Sequence, residues 1–201
     1  MTQSIALLFP TPLVHTNIGT DYIIDKDIKF REGKLNNGYI SIDEKYLDSN
    51  KKLKDRIDNE IEVYLRESLK LKKTVYLKHQ TSWILLHMRD HFTSNHYHMN
   101  SWLSGIYYYK APKNPGAVKF NTERPYGWTC SSMNPESELL EKNNINTNSF
   151  VFDPIDGDLL LFPSQLNHQA LPNMTDDDRI AISFNYTLHG TWGDSTYRIT
   201  M

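Results

Sequence analysis

From residue 75 onward the chain breaks into short apolar or alternating runs, at 75–79, 81–88, 103–109, 117–121, 149–153, 158–163 and 179–188. Clusters of Pro, Gly, Asn and Asp such as APKNPG, DPIDGD and NMTDDD separate them. Runs of that length, bounded by turn-forming residues, predict β-strands. Ahead of them lies one segment of different period. Leu53, Ile57, Ile61, Tyr64/Leu65 and Leu69 recur every three to four residues with Lys, Asp, Glu and Arg between them, which predicts a helix over about 49–71. A leading helix followed by many closely spaced strands leaves few architectures. The expected one is mainly β, a barrel or sandwich of the jelly-roll kind with the helix packed outside.

The rest of the chain is less informative. Residues 5–16 (IALLFPTPLVHT) predict an opening strand interrupted by Pro10 and Pro12, and 37–50 a polar, turn-rich connection. Segment 129–148 reads as a surface excursion with a short helical turn near Glu136–Lys142. There is no internal repeat, low-complexity tract or long linker, so all 201 residues are expected to form one domain.

Composition narrows the function classes. With 39% hydrophobic residues, including 8 Phe, 12 Tyr and 4 Trp, the chain can bury a sizeable core, and the aromatic excess favours sheet. Its 22 basic and 24 acidic residues are mixed along the chain, giving a net charge of −2 and no electrostatic case for nucleic acid or a membrane surface. No run reaches membrane-spanning length, and the beginning lacks the basic region of a secretory signal. The single cysteine, Cys130, excludes an internal disulfide and fits the cytoplasm, so the NxT triplets at Asn173 and Asn185 are read as accidental. A homodimer is compatible with the sequence.

Three of the eight histidines stand in a pattern. In NHYHMNSWLSGIYYYK, His96 and His98 are two apart, so an extended chain would turn both rings to one face, ahead of a strand. His168 ends GDLLLFPSQLNH, a buried-type strand stopped by Pro163 and followed by a loop, so its ring is offered at a strand end. Eleven residues on, Arg179 opens the buried-type strand RIAISFNYTL, where a guanidinium needs an anion or is destabilising. Together these suit a transition metal held by neutral imidazoles and a small acid held by the arginine. His15, His79, His91 and His189 are read as structural, and His87 as a residue able to line a pocket.

SWILLHM, HYHMNSWLSGIYYYK, GDLLLFPSQLNHQALPN and RIAISFN resemble, in order and spacing, the iron(II)- and 2-oxoglutarate-dependent dioxygenases. More narrowly they resemble a small 2-oxoglutarate/Fe(II) oxygenase family of tailed phages and marine bacteria within the prolyl-hydroxylase-like superfamily, and the opening LFPTPL fits that family too. The resemblance covers nearly the whole chain, most weakly at 17–74 and 122–149. It implies a double-stranded β-helix, a jelly-roll or cupin-like barrel, using Fe(II), 2-oxoglutarate and dioxygen to oxidise a further substrate, most commonly by hydroxylation.

Carried over by position, His96 and His168 match the two histidine ligands of the superfamily's metal triad. His98 stands where most members have a carboxylate and is the expected third ligand; Asp90 and Glu123 are the alternatives. Arg179 matches the residue that pairs with the distal carboxylate of 2-oxoglutarate. Tyr108, in GIYYYK, matches the tyrosine that donates to the same carboxylate. Strand alternation sets Ser104, Ile106 and Tyr108 on one face, and Arg179, Ala181, Ser183 and Asn185 on one face of the later strand. Ser183 is thereby a further candidate contact for the cosubstrate. Substrate specificity is expected in the loops 89–95, 122–149 and 169–178. Two other classes stay open: a cupin-like three-histidine enzyme such as a thiol dioxygenase, which would not need Arg179, and a virion or surface binding module holding a structural metal.

Overall fold

The computed structural model describes residues 4, 10–24, 27–114, 116–121, 140–141, 143 and 146–201. Residues 5–9 of the expected opening strand, Cys130, Glu123 and most of 129–148 with its expected helical turn lie outside the described residues.

The described chain runs β1 (Val14–Asn17), β2 (Phe30–Glu32), β3 (Asn36–Asn37), β4 (Tyr39–Ser41), α1 (Tyr46–Ser49), α2 (Lys51–Val63), β5 (Val75–His87), β6 (Phe92–His96), β7 (Leu103–Lys110), β8 (Val118–Asn121), β9 (Ser149–Phe152), β10 (Asp158–Pro163), β11 (Asn167–Ala170), β12 (Arg179–Trp192) and β13 (Ile199–Thr200). The strands form two antiparallel sheets. The larger has the order β1-β10-β7-β12-β5-β4-β2, with β13 added on β12; the smaller has the order β3-β6-β11-β8-β9. The architecture is a mainly β jelly roll with helices outside, as the sequence predicts, although the pairing of the described strands does not close a barrel.

The larger sheet is apolar on both faces, which is why its central strands read as unbroken hydrophobic runs. Leu159 and Leu161 of β10, Tyr107 of β7, and Ile182, Phe184 and Tyr186 of β12 pack against the helical side with Leu53, Ile57, Ile61 and Leu65. The alternating residues Leu160, Phe162, Ile106, Tyr108 and Ala181 face the other way and meet Val118 and Phe120 of the smaller sheet. The helical stripe is therefore a core contact. Asn50 caps α2 by accepting from the Leu53 N–H. A π-helical turn, Tyr64–Ser68, ends the helical segment and brings Leu65 into the same core.

Two differences from the expected strands have physical causes. The runs at 75–79 and 81–88 are one strand, β5, because Asn185 pairs with Thr81 while Tyr186 pairs with His79. Gln80 is the bulged residue between them, and its insertion shifts the alternation that split the run in sequence. The polar stretch expected to be connection at 37–50 holds β4, part of β3 and α1. Residues 30–41 join both sheets, since β4 pairs with β5 and β3 with β6.

Candidate active site

His96 is the last residue of β6, and His168 is the second residue of β11, directly opposite it in the antiparallel pair. Opposed residues point to one face, so their ring centroids lie 4.3 Å apart. His168 thus sits in a strand rather than in the loop expected after Pro163. His98 lies beyond the end of β6, so the two histidines do not share a strand. Its place is set by a backbone bond, its N–H donating to the Ser164 carbonyl at 2.8 Å. Ser164 is itself fixed from the larger sheet: its hydroxyl is 2.9 Å from that of Ser104, which donates to Asn185 Oδ1, whose amide donates to Thr81 Oγ1. The His98 ring then stands 5.1 Å from that of His96 and 5.3 Å from that of His168.

One ligand nitrogen from each of the three rings can be chosen such that all lie within 4.8 Å of one another. Metal–nitrogen distances of about 2.1 Å would draw adjacent donors to roughly 3 Å, a small closure for side chains on one cavity wall. The tautomers suit ligation. His96 Nδ1 lies 2.7 Å from the Ser94 carbonyl and His168 Nδ1 lies 2.8 Å from the Leu166 carbonyl. A carbonyl only accepts, so each Nδ1 carries hydrogen and each Nε2 presents its lone pair. Burial lowers all three pKa values, that of His98 to about 4 and that of His168 to about 3, and at His98 and His168 the neighbouring imidazoles add to the effect. The rings are neutral at pH 7, the form that binds a metal.

The three rings line a cavity of about 340 Å³. Trp83, Leu85, Ile106, Val118 and Phe162 form its apolar wall, Ser104 and Ser183 its hydroxyls, and Arg31, Lys34 and Leu35 of the segment bridging the sheets part of its rim. That segment lies outside the loops expected to set specificity; of those loops, Thr93 and Ala170 line the cavity among the described residues. Asp90, considered as an alternative ligand, is exposed in a turn with φ of 65° and does not join the histidine group.

Arg179 opens β12 and is 2% exposed. It lies in register with His87 of β5, and the next inward residue, Ala181, lies opposite Tyr108 of β7. Tyr108 faces inward as its parity predicts, while Tyr107 packs on the helical side. Neither Arg179 nor Tyr108 lines the cavity of the histidines. They sit farther along the same face, past Ala181 from the cavity-lining Ser183. The guanidinium donates to the carbonyls of Gly116 at 2.7 Å and Leu171 at 3.1 Å, and to His87 Nδ1 at 2.7 Å. Burial lowers its pKa and the nearby Tyr108 opposes that shift; burial pushes the Tyr108 phenol up to about 12, so it keeps its proton. A buried guanidinium beside a protonated phenol suits a carboxylate, which accepts from both.

The other histidines have structural partners: His15 meets Asp158, His79 meets Asp48, the Met88 N–H donates to His91 Nδ1, and His189 is 2.9 Å from Thr187 Oγ1. Sequence reasoning passed over His87 as an Arg179 partner, and also Asn173. The fully buried amide of Asn173 donates to the carbonyls of His87 and Asp177, fixing the loop that leads into Arg179. Neither residue has a local signal, because each acts on a group far from it in sequence, His87 on Arg179 and Asn173 on the His87 carbonyl.

The sequence pattern of the family described as "Putative 2OG-Fe(II) oxygenase" matches residues 81–185, more than half of the chain and the stretch that carries the three histidines and Arg179. The chain belongs to this 2OG-Fe(II) oxygenase family.

The oxygenase is an oxidoreductase whose family cofactors are Fe(II) and 2-oxoglutarate, with dioxygen implied by the reaction. None of the curated proteins matches it. Solved structures share its fold at low identity. The 2-oxoglutarate-dependent epimerase SnoN of nogalamycin biosynthesis is 14% identical over 93% of this chain and 83% of its own, with a TM-score of 0.55. HygX from Streptomyces hygroscopicus, solved with nickel and 2-oxoglutarate bound, is 11% identical over 88% of this chain and 83% of its own, also at 0.55. A Trichoplax adhaerens prolyl hydroxylase bound to a hypoxia-inducible-factor peptide is 14% identical over 78% of this chain and 66% of its own, at 0.50. Among the described residues no helix is long and apolar enough to cross a membrane.

Proposed function

We propose that the oxygenase is a hydroxylase whose Fe(II) is held by His96, His98 and His168, and whose 2-oxoglutarate is anchored by Arg179 and Tyr108. The observation that carries the reading is convergence: imidazoles from two strand ends and an intervening loop present nitrogens within 4.8 Å, on the side of the sheet where the Arg179 guanidinium is buried. Bound iron would supply the oxidative decarboxylation of 2-oxoglutarate by dioxygen to succinate and CO2, coupled to oxidation of the second substrate.

The protein's part is positioning and exclusion of water. Ser94 and Leu166 carbonyls fix the ring tautomers of two ligands, and the polar chain from Thr81 to Ser164 fixes the third. Arg179 and Tyr108 would both donate to the distal carboxylate, and Ser183 lies on the cavity wall between them and the histidines. A ligand set of three imidazoles lacks the negative charge of a carboxylate ligand, so the bound ion keeps its full positive charge toward the anionic cosubstrate. The cavity with its apolar wall holds the second substrate, and the single-domain chain works in a cytoplasm. Its match to the narrower motif set supports a phage or marine bacterial origin.

His168→Ala should abolish both Fe(II) binding and 2-oxoglutarate turnover, whereas Arg179→Leu should leave Fe(II) binding nearly intact and weaken 2-oxoglutarate. A variant lacking the Arg179 guanidinium that bound 2-oxoglutarate normally would favour the three-histidine chemistry that does not use this cosubstrate.

A further inference from the structure

We propose that the second substrate is a small organic anion, its carboxylate or phosphate held by Arg31 and Lys34 and its apolar body by Trp83. The proposal rests on the reading of the histidine cavity as the oxygenase's active site.

Arg31 and Lys34 line that cavity, and among the described residues no aspartate or glutamate does. The two cations reach it from different sheets. Arg31 of β2 lies opposite Ile40 of β4, Ile40 opposite Leu85 of β5, and Leu85 opposite Ala181 of β12, which in turn lies opposite Tyr108. Opposed residues share a face, so Arg31 and Tyr108 are the two ends of one row, separated by about 19 Å of sheet. That distance sets them to different anions. Lys34 comes from the smaller sheet. The Leu35 carbonyl accepts from the Ser94 N–H at 3.0 Å and Asn36 pairs with Thr93, so Lys34 is the next residue toward the His96 end of β6.

Fe(II) and the 2-oxoglutarate dianion cancel in charge, so a second anion needs cations of its own. Arg31 has one fixed anionic contact, its guanidinium donating to Glu44 at 3.1 Å, and both side chains are exposed to water, where such a pair is weak. Lys34 is exposed and has no ion-pair partner among the described residues. Cations at the rim of an apolar wall fit a ligand with a charged head and an apolar body. The indole of Trp83 supplies the surface for that body. It is half-buried, lies opposite Ser183, and stands edge-on to the His98 ring with centroids 6.0 Å apart. A ring or chain lying on the indole is thereby brought beside the proposed metal ligands.

Matched acids and amides test this, because they share a body and differ in charge. Fe(II)-loaded protein, anaerobic and saturated with 2-oxoglutarate, is titrated by calorimetry with 3-phenylpropionate, indole-3-acetate, the amide of each, and phenyl phosphate. The visible charge-transfer band of iron-bound 2-oxoglutarate is followed throughout. Each acid should bind about tenfold more tightly than its amide, and the double variant Arg31→Gln/Lys34→Gln should bring the two within about threefold. Glu44→Gln, which frees the Arg31 fork, should tighten the acids about threefold and leave the amides unchanged. Phenyl phosphate binding above or below 3-phenylpropionate upholds the proposal in either order and names the oxyanion. No preference for acids over amides, no binding of the acids, or a preference that survives in the double variant overturns the proposal. So does loss of the band on adding the acids, which would put them in the cosubstrate's place. In each of these cases a band present before the titration leaves the oxygenase reading standing, whereas wild-type protein with iron and no band overturns both.

Discussion

The buried neutral state of His87 has a consequence for stability in acid that can be worked out from its environment. Its pKa falls from an ordinary 6.5 to about 3, chiefly through burial and then through Arg179 and His91. Between those values the unfolded chain takes up a proton that the folded chain refuses. Stability from this residue is therefore fully present above pH 6.5 and drains away as pH falls toward 3. At pH 5 the unfolded imidazole is almost fully charged, which lowers the unfolding free energy by about 2 kcal/mol relative to pH 7. His87→Asn keeps the acceptor and removes the titration. Urea unfolding of metal-free protein at pH 7, 6 and 5 should show the wild type losing about 2 kcal/mol more than the variant over that range. Every other histidine is common to both proteins and cancels in the comparison, so the offset at pH 7 is immaterial. Parallel pH dependences would mean instead that the ring is hydrated or charged in the folded protein.

Other substitutions separate the scaffold from the site. Ile57→Ala, at a fully buried position on the inward stripe of α2, should lower the unfolding free energy in urea by about 3 kcal/mol and leave one Fe(II) bound per chain at equilibrium. Gly105→Val should destabilise by a similar amount, about 3 kcal/mol, because its Cβ would stand 2.3 Å from Phe184 Cζ and 2.8 Å from the Leu160 carbonyl oxygen; a fold tolerating it without loss would contradict the packing of β7 on β12. Ser164→Ala removes a hydroxyl from the chain that fixes His98 while keeping the carbonyl that receives its N–H. It should weaken Fe(II) binding about tenfold in competition with a chelator, without affecting the His96–His168 pair.

The sequence made the apolar strands legible and hid the strands of the site. β7, β10 and β12 are buried on both faces, so their hydrophobic runs stand out, and the parity that turns Tyr108 and Arg179 inward follows from counting by twos. β6 (FTSNH) and β11 (NHQA) carry the proposed ligands His96 and His168, and no apolar run announces them. Their polarity is what a cavity wall demands and what disguises a strand. The spacing of His96 and His98 suggested one strand face. In the fold the strand ends at His96, and His98 comes to the same cavity because its backbone is tied to Ser164. His87 shows the limit from the other side: its ring matters because of what lies across the sheet, and register across β5 and β12, with a bulge at Gln80, is not written in either strand alone.

On the proposed reading, the three imidazoles and the Arg179 guanidinium serve one iron–cosubstrate complex. Anaerobic titration of Fe(II)-loaded protein with 2-oxoglutarate tests it most directly, through the weak visible metal-to-ligand charge-transfer band that appears when the oxo acid chelates iron. The band should grow to saturation at one equivalent in the wild type, shift to much higher 2-oxoglutarate concentration in Arg179→Leu, and be missing in His168→Ala. Wild-type protein that holds iron and yet develops no band at any 2-oxoglutarate concentration would rule out the shared iron–cosubstrate site.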